Sequence, residues 1–108
     1  MKIIVDNEIK YILGKNAKEN FQLIDLAKIE NQNYWWFHLD KFPSGHCVVM
    51  TENINNEIIN IASNFVKENS KVKNMKNIGV IYTQIKNVQK TEILGMVNIK
   101  GKRNVIKI

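Results

Sequence analysis

The sequence predicts an α+β fold, with a mixed and mostly antiparallel sheet, two helices and one domain over residues 1–108. Short runs rich in β-branched and aromatic residues outnumber the two stretches with helical spacing of apolar residues. Several of these runs are separated only by turn-like residues, which favours hairpins. A hydrophobic content of 44% in 108 residues is enough for one core without disulfides or metals. We expect the order ββαββαβββ.

The first elements are a hairpin and a helix. KIIVD and IKYIL flank the turn-like pair NE, and Gly14 ends the second run. Asn16 can cap a helix, and the carboxylate of Glu19 stands where it can reach back to a free backbone N–H. The apolar face of this helix is formed by Ala17, Phe21, Ile24 and Ala27. The helix is predicted over residues 16–29.

Residues 35–47, WWFHLDKFPSGHC, contain both tryptophans, both histidines, the only proline and the only cysteine. The first part alternates as a strand does, so its residues fall on two faces. One face holds Trp35, Phe37 and Leu39, and the other face holds Trp36, His38 and Asp40. We expect the first face to be core and the second to point outward. KFPSG has the composition of a loop, and HCVVM resumes a strand.

The second half predicts a helix and three strands. Asn53 can cap a helix over residues 54–68, because apolar residues recur there at helical spacing. IGVIYT, GMVNI and NVIKI predict strands, the last two joined across the basic turn KGKR. Tyr82 and Thr83 end the first of these strands. We expect Lys86, Asn87 and Lys90 to lie in the loop that follows.

Positive charge is concentrated in the second half of the chain. Residues 1–54 carry six lysines and seven acids, whereas residues 55–108 carry ten basic and three acidic residues. Such asymmetry is typical of a polyanion partner. Isoleucine, lysine and asparagine make up 48 of the 108 residues, however, and an A/T-rich coding sequence with a solvated lysine-rich face gives the same pattern. Charge alone leaves both interpretations open.

The sequence predicts a reducing, cytoplasmic setting. A single cysteine forms no internal disulfide, and no Asn-x-Ser/Thr sequon is present. No run of about 18 apolar residues occurs, and the amino terminus lacks the pattern of a signal peptide. We therefore expect no membrane span.

His38, Asp40, Ser44, His46 and Cys47 include the residue types of zinc sites and of nucleophilic catalysis. Zinc sites bring three or four ligands with tight local pairs, which these spacings do not provide. A nucleophile turn such as Gly-x-Ser-x-Gly is also absent. We predict no metal, no cofactor and no catalytic residue. The histidines either satisfy backbone groups at a loop mouth, or join an aromatic and hydroxyl surface that stacks on bases and donates to phosphates.

Two other segments suit an anionic partner. Gly14 and Lys15 precede the amino terminus of the first predicted helix, where free N–H groups and the helix dipole attract anions. One glycine is short of a phosphate loop or a dinucleotide fingerprint, which disfavours ATP and NAD. The segment from Tyr82 to Lys90 interleaves an aromatic, a hydroxyl and lysines, as backbone-tracking surfaces do. A glycine that turns a strand into a helix and a charged hairpin rim are the corresponding structural alternatives.

Four motifs, in order along the chain, resemble the NFACT-R domain, which ends the tailing factors of ribosome quality control and occurs as small stand-alone proteins. They are the set Gly14, Lys15, Asn16 and Asn20, the run Trp36–His38, the loop Pro43–His46, and the set Val80, Tyr82, Thr83, Asn87, Val88 and Lys90. WFHLDKFPSGHCVVM is most similar to the stand-alone eukaryotic-type members, whose lysine-rich coiled coil does not follow here. Tyr34 stands where the family has an acid, and Ser44-Gly45 replaces the common Gly-Ser order.

The resemblance implies a nucleic-acid-binding module without established catalysis, associated with translation, ribosome quality control or RNA modification. The expected partner is structured RNA such as tRNA or rRNA, with DNA as the alternative. The motifs and the residue patterns together predict the contacts Lys15, Asn16, Asn20, Trp36, His38, Asp40, Ser44, His46, Tyr82, Thr83, Lys86, Asn87 and Lys90.

Two other functions remain open at this stage. An RNA-modification enzyme or sulfur-transfer accessory would use His38, His46 or Cys47. A protein-interaction domain would use Trp35 or Trp36 as an anchor, with the positive charge left by compositional drift.

Overall fold

All 108 residues are described by a computed structural model. Its elements are β1 (Lys2–Asp6), β2 (Ile9–Leu13), α1 (Ala17–Glu30), β3 (Trp35–Leu39), β4 (Cys47–Val49), α2 (Asn56–Glu68), β5 (Gly79–Gln84), a 3₁₀ turn (Ile85–Asn87), β6 (Val88–Lys90), β7 (Val97–Ile99) and β8 (Asn104–Lys107). The predicted α+β class is confirmed. Neither helix has the length and apolarity of a membrane span.

Six strands form one antiparallel sheet in the order β1-β2-β4-β3-β5-β8, and β6 and β7 form a separate hairpin. β3 lies inside the sheet, where Trp36 is opposite Val48 of β4 and Thr83 of β5. Antiparallel neighbours on both sides satisfy the backbone of this aromatic strand.

Both faces of β3 are buried, each in a different core. Phe37 and Leu39 pack with residues of α2 in one core, and Trp36 packs with Leu23 and Ile24 of α1 in the other. The expectation that Trp36 points outward is therefore wrong, because α1 and the β6–β7 hairpin cover that face and leave the indole 1% exposed. Of the three residues on this face, His38 is half-buried and only Asp40 is exposed.

The helix starts follow capping chemistry. Asn16 Oδ1 accepts the Glu19 N–H at 2.9 Å, and Glu19 Oε1 accepts the Lys15 N–H at 3.0 Å, so the predicted cap is confirmed. The cap of α2 lies two residues later than predicted. Asn55, rather than Asn53, accepts the Ile58 N–H at 2.9 Å. α2 therefore begins at Asn56.

The predicted hairpin across KGKR does not form, since β7 pairs with β6 and β8 pairs with β5. The Thr83 hydroxyl donates to the Lys102 carbonyl at 2.7 Å, and Asn87 Nδ2 donates to Thr83 Oγ1 at 2.9 Å. These bonds hold the segment between β7 and β8 over the end of β5. The expected loop at residues 86–90 is instead the 3₁₀ turn followed by β6.

A close approach of backbone segments joins α1 to the sheet. The Gly14 N–H donates to the His46 carbonyl at 3.0 Å, and the His46 N–H donates to Asn20 Oδ1 at 3.0 Å. A Cβ atom on Gly45 would lie 2.2 Å from the Gly14 carbonyl oxygen. We call Gly14, Asn20, Gly45 and His46 the glycine junction.

Gly45→Ala is expected to lower the free energy of unfolding by about 2 kcal/mol or more, because the added methyl group meets a backbone oxygen that has no room to retreat. Gly79→Ala in β5 is the matched control. Its Cβ would lie 3.2 Å from the Cβ of the exposed Asp40, a contact that a shift of a few tenths of an ångström relieves, so the change is expected to stay below about 1 kcal/mol. Urea unfolding measures both. Equal losses would contradict the proposed tightness of the glycine junction.

Candidate nucleic-acid interface

A groove of about 1300 Å³ opens where α1 begins. Its walls come from four parts of the chain: the start of α1, the loop between β3 and β4, the segment after α2, and the stretch from the β6–β7 turn to Arg103. We call it the α1-end groove. Its volume exceeds the roughly 300–1,000 Å³ that is usual for a small-molecule pocket.

The charge of the α1-end groove is positive. Lys15, Lys71, Lys100 and Arg103 line it and are exposed, and Asp40 is the one carboxylate among its lining residues. The chain has only two ion pairs, between the amino terminus and Glu19 and between Lys90 and Asp25. The four groove cations therefore have no carboxylate partner and are free to meet an external anion.

The amino terminus of α1 adds backbone donors to the same wall. Ala17 lines the groove, and its N–H belongs to the first turn, which has no intrahelical acceptor. Nearby, the backbone N–H of Lys15 and the terminal ammonium hold the pKa of Glu19 below its usual value. Because that carboxylate already has two partners, it opposes an incoming anion less than a free one would.

Three aromatic rings form the floor of the groove. The His38 ring lies parallel to Trp36, with centroids 5.7 Å apart and an interplanar angle of 2°. His46 meets both rings edge-on, at 5.2 Å from Trp36 and 5.0 Å from His38. His38 Nδ1 donates to the Leu39 carbonyl, which leaves Nε2 as the acceptor of the neutral ring.

Both histidines are neutral near pH 7. Burial, with a smaller contribution from the neighbouring His38, lowers the pKa of His46 to about 3. Burial also lowers the pKa of His38, more strongly than the Leu39 carbonyl and Asp40 raise it. Trp36 Nε1 and His46 Nδ1 are buried without a hydrogen-bond partner in the protein. The floor is therefore uncharged beneath a positively charged rim, and His38 is the one of its three rings that is not fully buried.

The structure brings together eight of the thirteen predicted contacts. The α1-end groove is lined by Lys15, Asn16, Asn20, Trp36, His38, Asp40, Ser44 and His46. Some of these also hold the fold: Asn20 belongs to the glycine junction, and Ser44 Oγ accepts the Leu39 N–H at 3.2 Å. Trp36 has no free face for a base, because His38 covers it and the side chain is buried.

The other five, Tyr82, Thr83, Lys86, Asn87 and Lys90, lie outside the groove. Tyr82 is on the α2 face of the sheet, stacked on Phe37 at 5.2 Å. Thr83 and Asn87 bond each other and hold the segment after β7.

The two lysines of this group have partners within the chain. Lys86 Nζ donates to Asn33 Oδ1 at 3.3 Å, and Lys90 pairs with Asp25 at 2.8 Å. Lys90 also lies over the Phe21 ring, 5.5 Å from its centroid. These contacts direct both lysines toward α1 and the loop after it.

Sequence reasoning missed three groove cations, Lys71, Lys100 and Arg103, and an apolar rim. Ile93, Leu94 and Met96 line the groove and are exposed. The basic turn KGKR is the local signal for Lys100 and Arg103, but its position between two strand-like runs predicts a hairpin that does not form. No local pattern indicates that the segment after α2 reaches the same opening.

The positions of Cys47 and the two tryptophans bear on the two alternative functions, sulfur transfer or RNA modification and protein interaction. Cys47 is fully buried in the α2-side core, and burial raises the pKa of its thiol, so it offers no accessible thiolate for sulfur transfer. No group of three or more His, Cys, Asp or Glu side chains is placed to hold a metal ion. Trp35 is half-buried, and its Nε1–H donates to the Glu52 carbonyl at 2.9 Å. Neither tryptophan stands out as an exposed anchor.

Comparison with known proteins gives matches along most of the chain. The family model described as "NFACT protein RNA binding domain" matches residues 4–105. Coiled-coil domain-containing protein 25 from Bos taurus and the same protein from Mus musculus are each 34% identical over 86 residues, covering 73% of this chain and 40% of theirs. The chain thus spans less than half the length of these relatives.

Among solved structures, the C-terminal part of the fibronectin/fibrinogen-binding protein from Streptococcus suis has a TM-score of 0.86 at 21% identity, over 98% of this chain and 43% of that one. At this identity the likeness concerns the fold. The family model covers nearly the whole chain, and the groove has the positive charge that a polyanion partner requires. The chain therefore belongs to the NFACT RNA-binding domain family, and it is a nucleic-acid-binding module.

Proposed function

We propose that this protein binds structured RNA, such as tRNA or rRNA, in the α1-end groove, as a non-catalytic module in translation, ribosome quality control or RNA modification in the cytoplasm. The observation that carries the proposal is the convergence of four unpaired cations and the amino terminus of α1 on one opening. Family membership supports RNA as the polyanion.

The rim of the groove suits phosphate groups. Lys15 and Ala17 stand on one wall, and Lys100 and Arg103 stand on another. A nucleic-acid backbone that crosses between these walls meets side-chain cations on both sides and a free backbone N–H on one. Such contacts release counterions, so affinity falls as salt rises.

The floor suits discrimination rather than charge neutralisation. His38 and His46 are neutral, and the half-buried His38 keeps Nε2 as an acceptor, because its Nδ1 donates to the Leu39 carbonyl. Neutral donors and acceptors read the edges of bases or a 2′-hydroxyl, which phosphate contacts do not. We therefore assign affinity to the rim and selectivity to the floor.

The apolar rim favours RNA with unpaired bases. Ile93, Leu94 and Met96 are exposed beside the cations, where an apolar surface gains from contact with a splayed base but not with a regular duplex. Loops, bulges and ends of a structured RNA present such bases.

Filter binding against a tRNA, a duplex DNA and an RNA homopolymer, each at two salt concentrations, tests the proposed function. We expect the tRNA to bind most tightly, with micromolar or stronger affinity, and all three to weaken as salt rises. Absence of binding to every one of them would remove the proposal. Equal affinity for all three would remove the preference for structured RNA.

The double variant Lys100→Ala/Arg103→Ala is expected to weaken binding of all polyanions and to reduce the salt slope by about two phosphate contacts. The matched control, Lys86→Ala/Lys90→Ala, removes the same charge from outside the groove. The lysines of this control already have partners within the chain. Its salt slope should therefore change by less than half as much as that of the Lys100→Ala/Arg103→Ala variant. A larger change from the control pair would show that the backbone follows the 3₁₀ turn and β6.

No rise in affinity with a midpoint near pH 6.5 is expected on acidification, because burial lowers the pKa of His46 to about 3 and holds the pKa of His38 below its ordinary value of 6.5. An affinity that rises on acidification, with a midpoint near 6.5, would mean that a protonated histidine contacts phosphate. The pKa of His46 is lower in the folded than in the unfolded chain, so its stabilising effect is complete above 6.5 and is lost as pH falls toward 3. Thermal melts at each pH confirm that the protein being titrated is folded.

A further inference from the structure

Strand β1 is an unprotected edge of the six-stranded sheet. All five of its residues are exposed, and Ile3, Ile4 and Val5 keep 53%, 37% and 64% of their surface accessible. Neither a proline nor a covering element protects this edge, although proteins usually protect such edges from pairing. Its only charges are opposite and stand at its two ends, at Lys2 and Asp6.

The backbone of β1 faces outward at defined residues. Val5 is opposite Lys10, and the Lys10 carbonyl accepts the Met50 N–H at 2.9 Å, which shows that Lys10 directs its backbone groups toward β4. Lys10 and Val5 are thus a non-hydrogen-bonded pair, and Val5 directs its own N–H and C=O away from β2. Alternate residues of a strand share this direction, so Ile3 does the same.

We propose that β1 pairs antiparallel with β1 of a second copy of this chain, with Ile4 opposite its own counterpart. Ile3 is then opposite the partner's Val5, so that outward-facing backbone groups meet outward-facing groups. Each Lys2 lies opposite Asp6 of the partner subunit, and the two-fold axis repeats this pair. The pairing places the three exposed apolar side chains beside apolar side chains of the partner's strand.

The charges select this register from those that the backbone allows. Centring the pairing on Ile3 places Lys2 opposite the partner's Ile4, and centring it on Val5 places Asp6 opposite the partner's Ile4. Only the register centred on Ile4 matches opposite charges and leaves no charge opposite an apolar residue. Lys2 Nζ donates to Asn69 Oδ1 at 2.7 Å within the chain, which leaves two further donors on the ammonium.

The proposed dimer goes beyond RNA binding by one copy. The axis is perpendicular to the sheet, so two six-stranded sheets become one continuous sheet with both α1-end grooves on the same side. One strand pair is a small interface, well below the roughly 1,000 Å² of a stable complex. We therefore expect a weak dimer, which two grooves on one RNA would reinforce.

Sedimentation equilibrium of nuclease-treated protein from about 10 µM to about 1 mM measures the dimer, over the range expected for a small interface. Lys2→Glu and Asp6→Lys should each weaken it about ten-fold or more, because each places like charges opposite one another twice. The double variant Lys2→Glu/Asp6→Lys should restore it. Asn69→Ala, which removes the bond to Lys2 and the Asn69 bond to the Phe65 carbonyl, both within one chain, should leave the dimer unchanged.

Hydrogen exchange locates the pairing. At high protein concentration the amides of Ile3 and Val5 should become protected, whereas Ile4, already bonded to β2, should not change. A monomer at every concentration would overturn the proposal. So would a dimer that ignores both charge reversals or leaves the amides of Ile3 and Val5 unprotected.

Discussion

The burial of β3 on both faces is the constraint on which the rest of this structure depends. An aromatic strand in the middle of a sheet needs cover on two sides, and α2 provides it on one side while α1 and the β6–β7 hairpin provide it on the other. That second cover is incomplete. Along one face of β3 and the residue after it, Trp36 is buried, His38 is half-buried and Asp40 is exposed. The α1-end groove lies where the cover ends, so the site is a consequence of how the core is closed.

The glycine junction fixes the position of that opening. Asn20 ties α1 to the backbone of His46, and Gly45 allows the loop between β3 and β4 to touch the end of β2. His46 is thereby held against Trp36 and His38, neutral and 2% exposed. The motif residues of this family therefore have two different roles in this chain, one structural and one in contact with a partner. Asn20 and Gly45 place the walls, whereas Lys15 is exposed on them and free for a partner.

Contacts between residues close together in the sequence could be predicted from it, but the number of layers that pack on each strand could not. The Asn16 cap and the amphipathic faces of the helices follow from neighbouring residues, which is why both helices were predicted to within two residues. Alternation in YWWFHLD places Trp35 and Trp36 on opposite faces, but it does not tell how many layers cover the strand. The pairing of β5 with β8 brings Arg103 to the groove, and Lys90 meets Asp25 across 65 positions. Such long-range contacts have no local signature.

Binding of nucleic acid in the α1-end groove would change the surroundings of the residues that line it. Recording amide spectra of isotope-labelled protein while a structured RNA is added tests this binding most directly, since each backbone N–H reports its own surroundings. We expect the signals of Lys15, Ala17, Gly45, Lys100 and Arg103 to shift or broaden together, while those of Lys86, Gln89 and Lys90 stay in place. Shifts centred on the 3₁₀ turn and β6, with the start of α1 unchanged, would contradict binding in this groove.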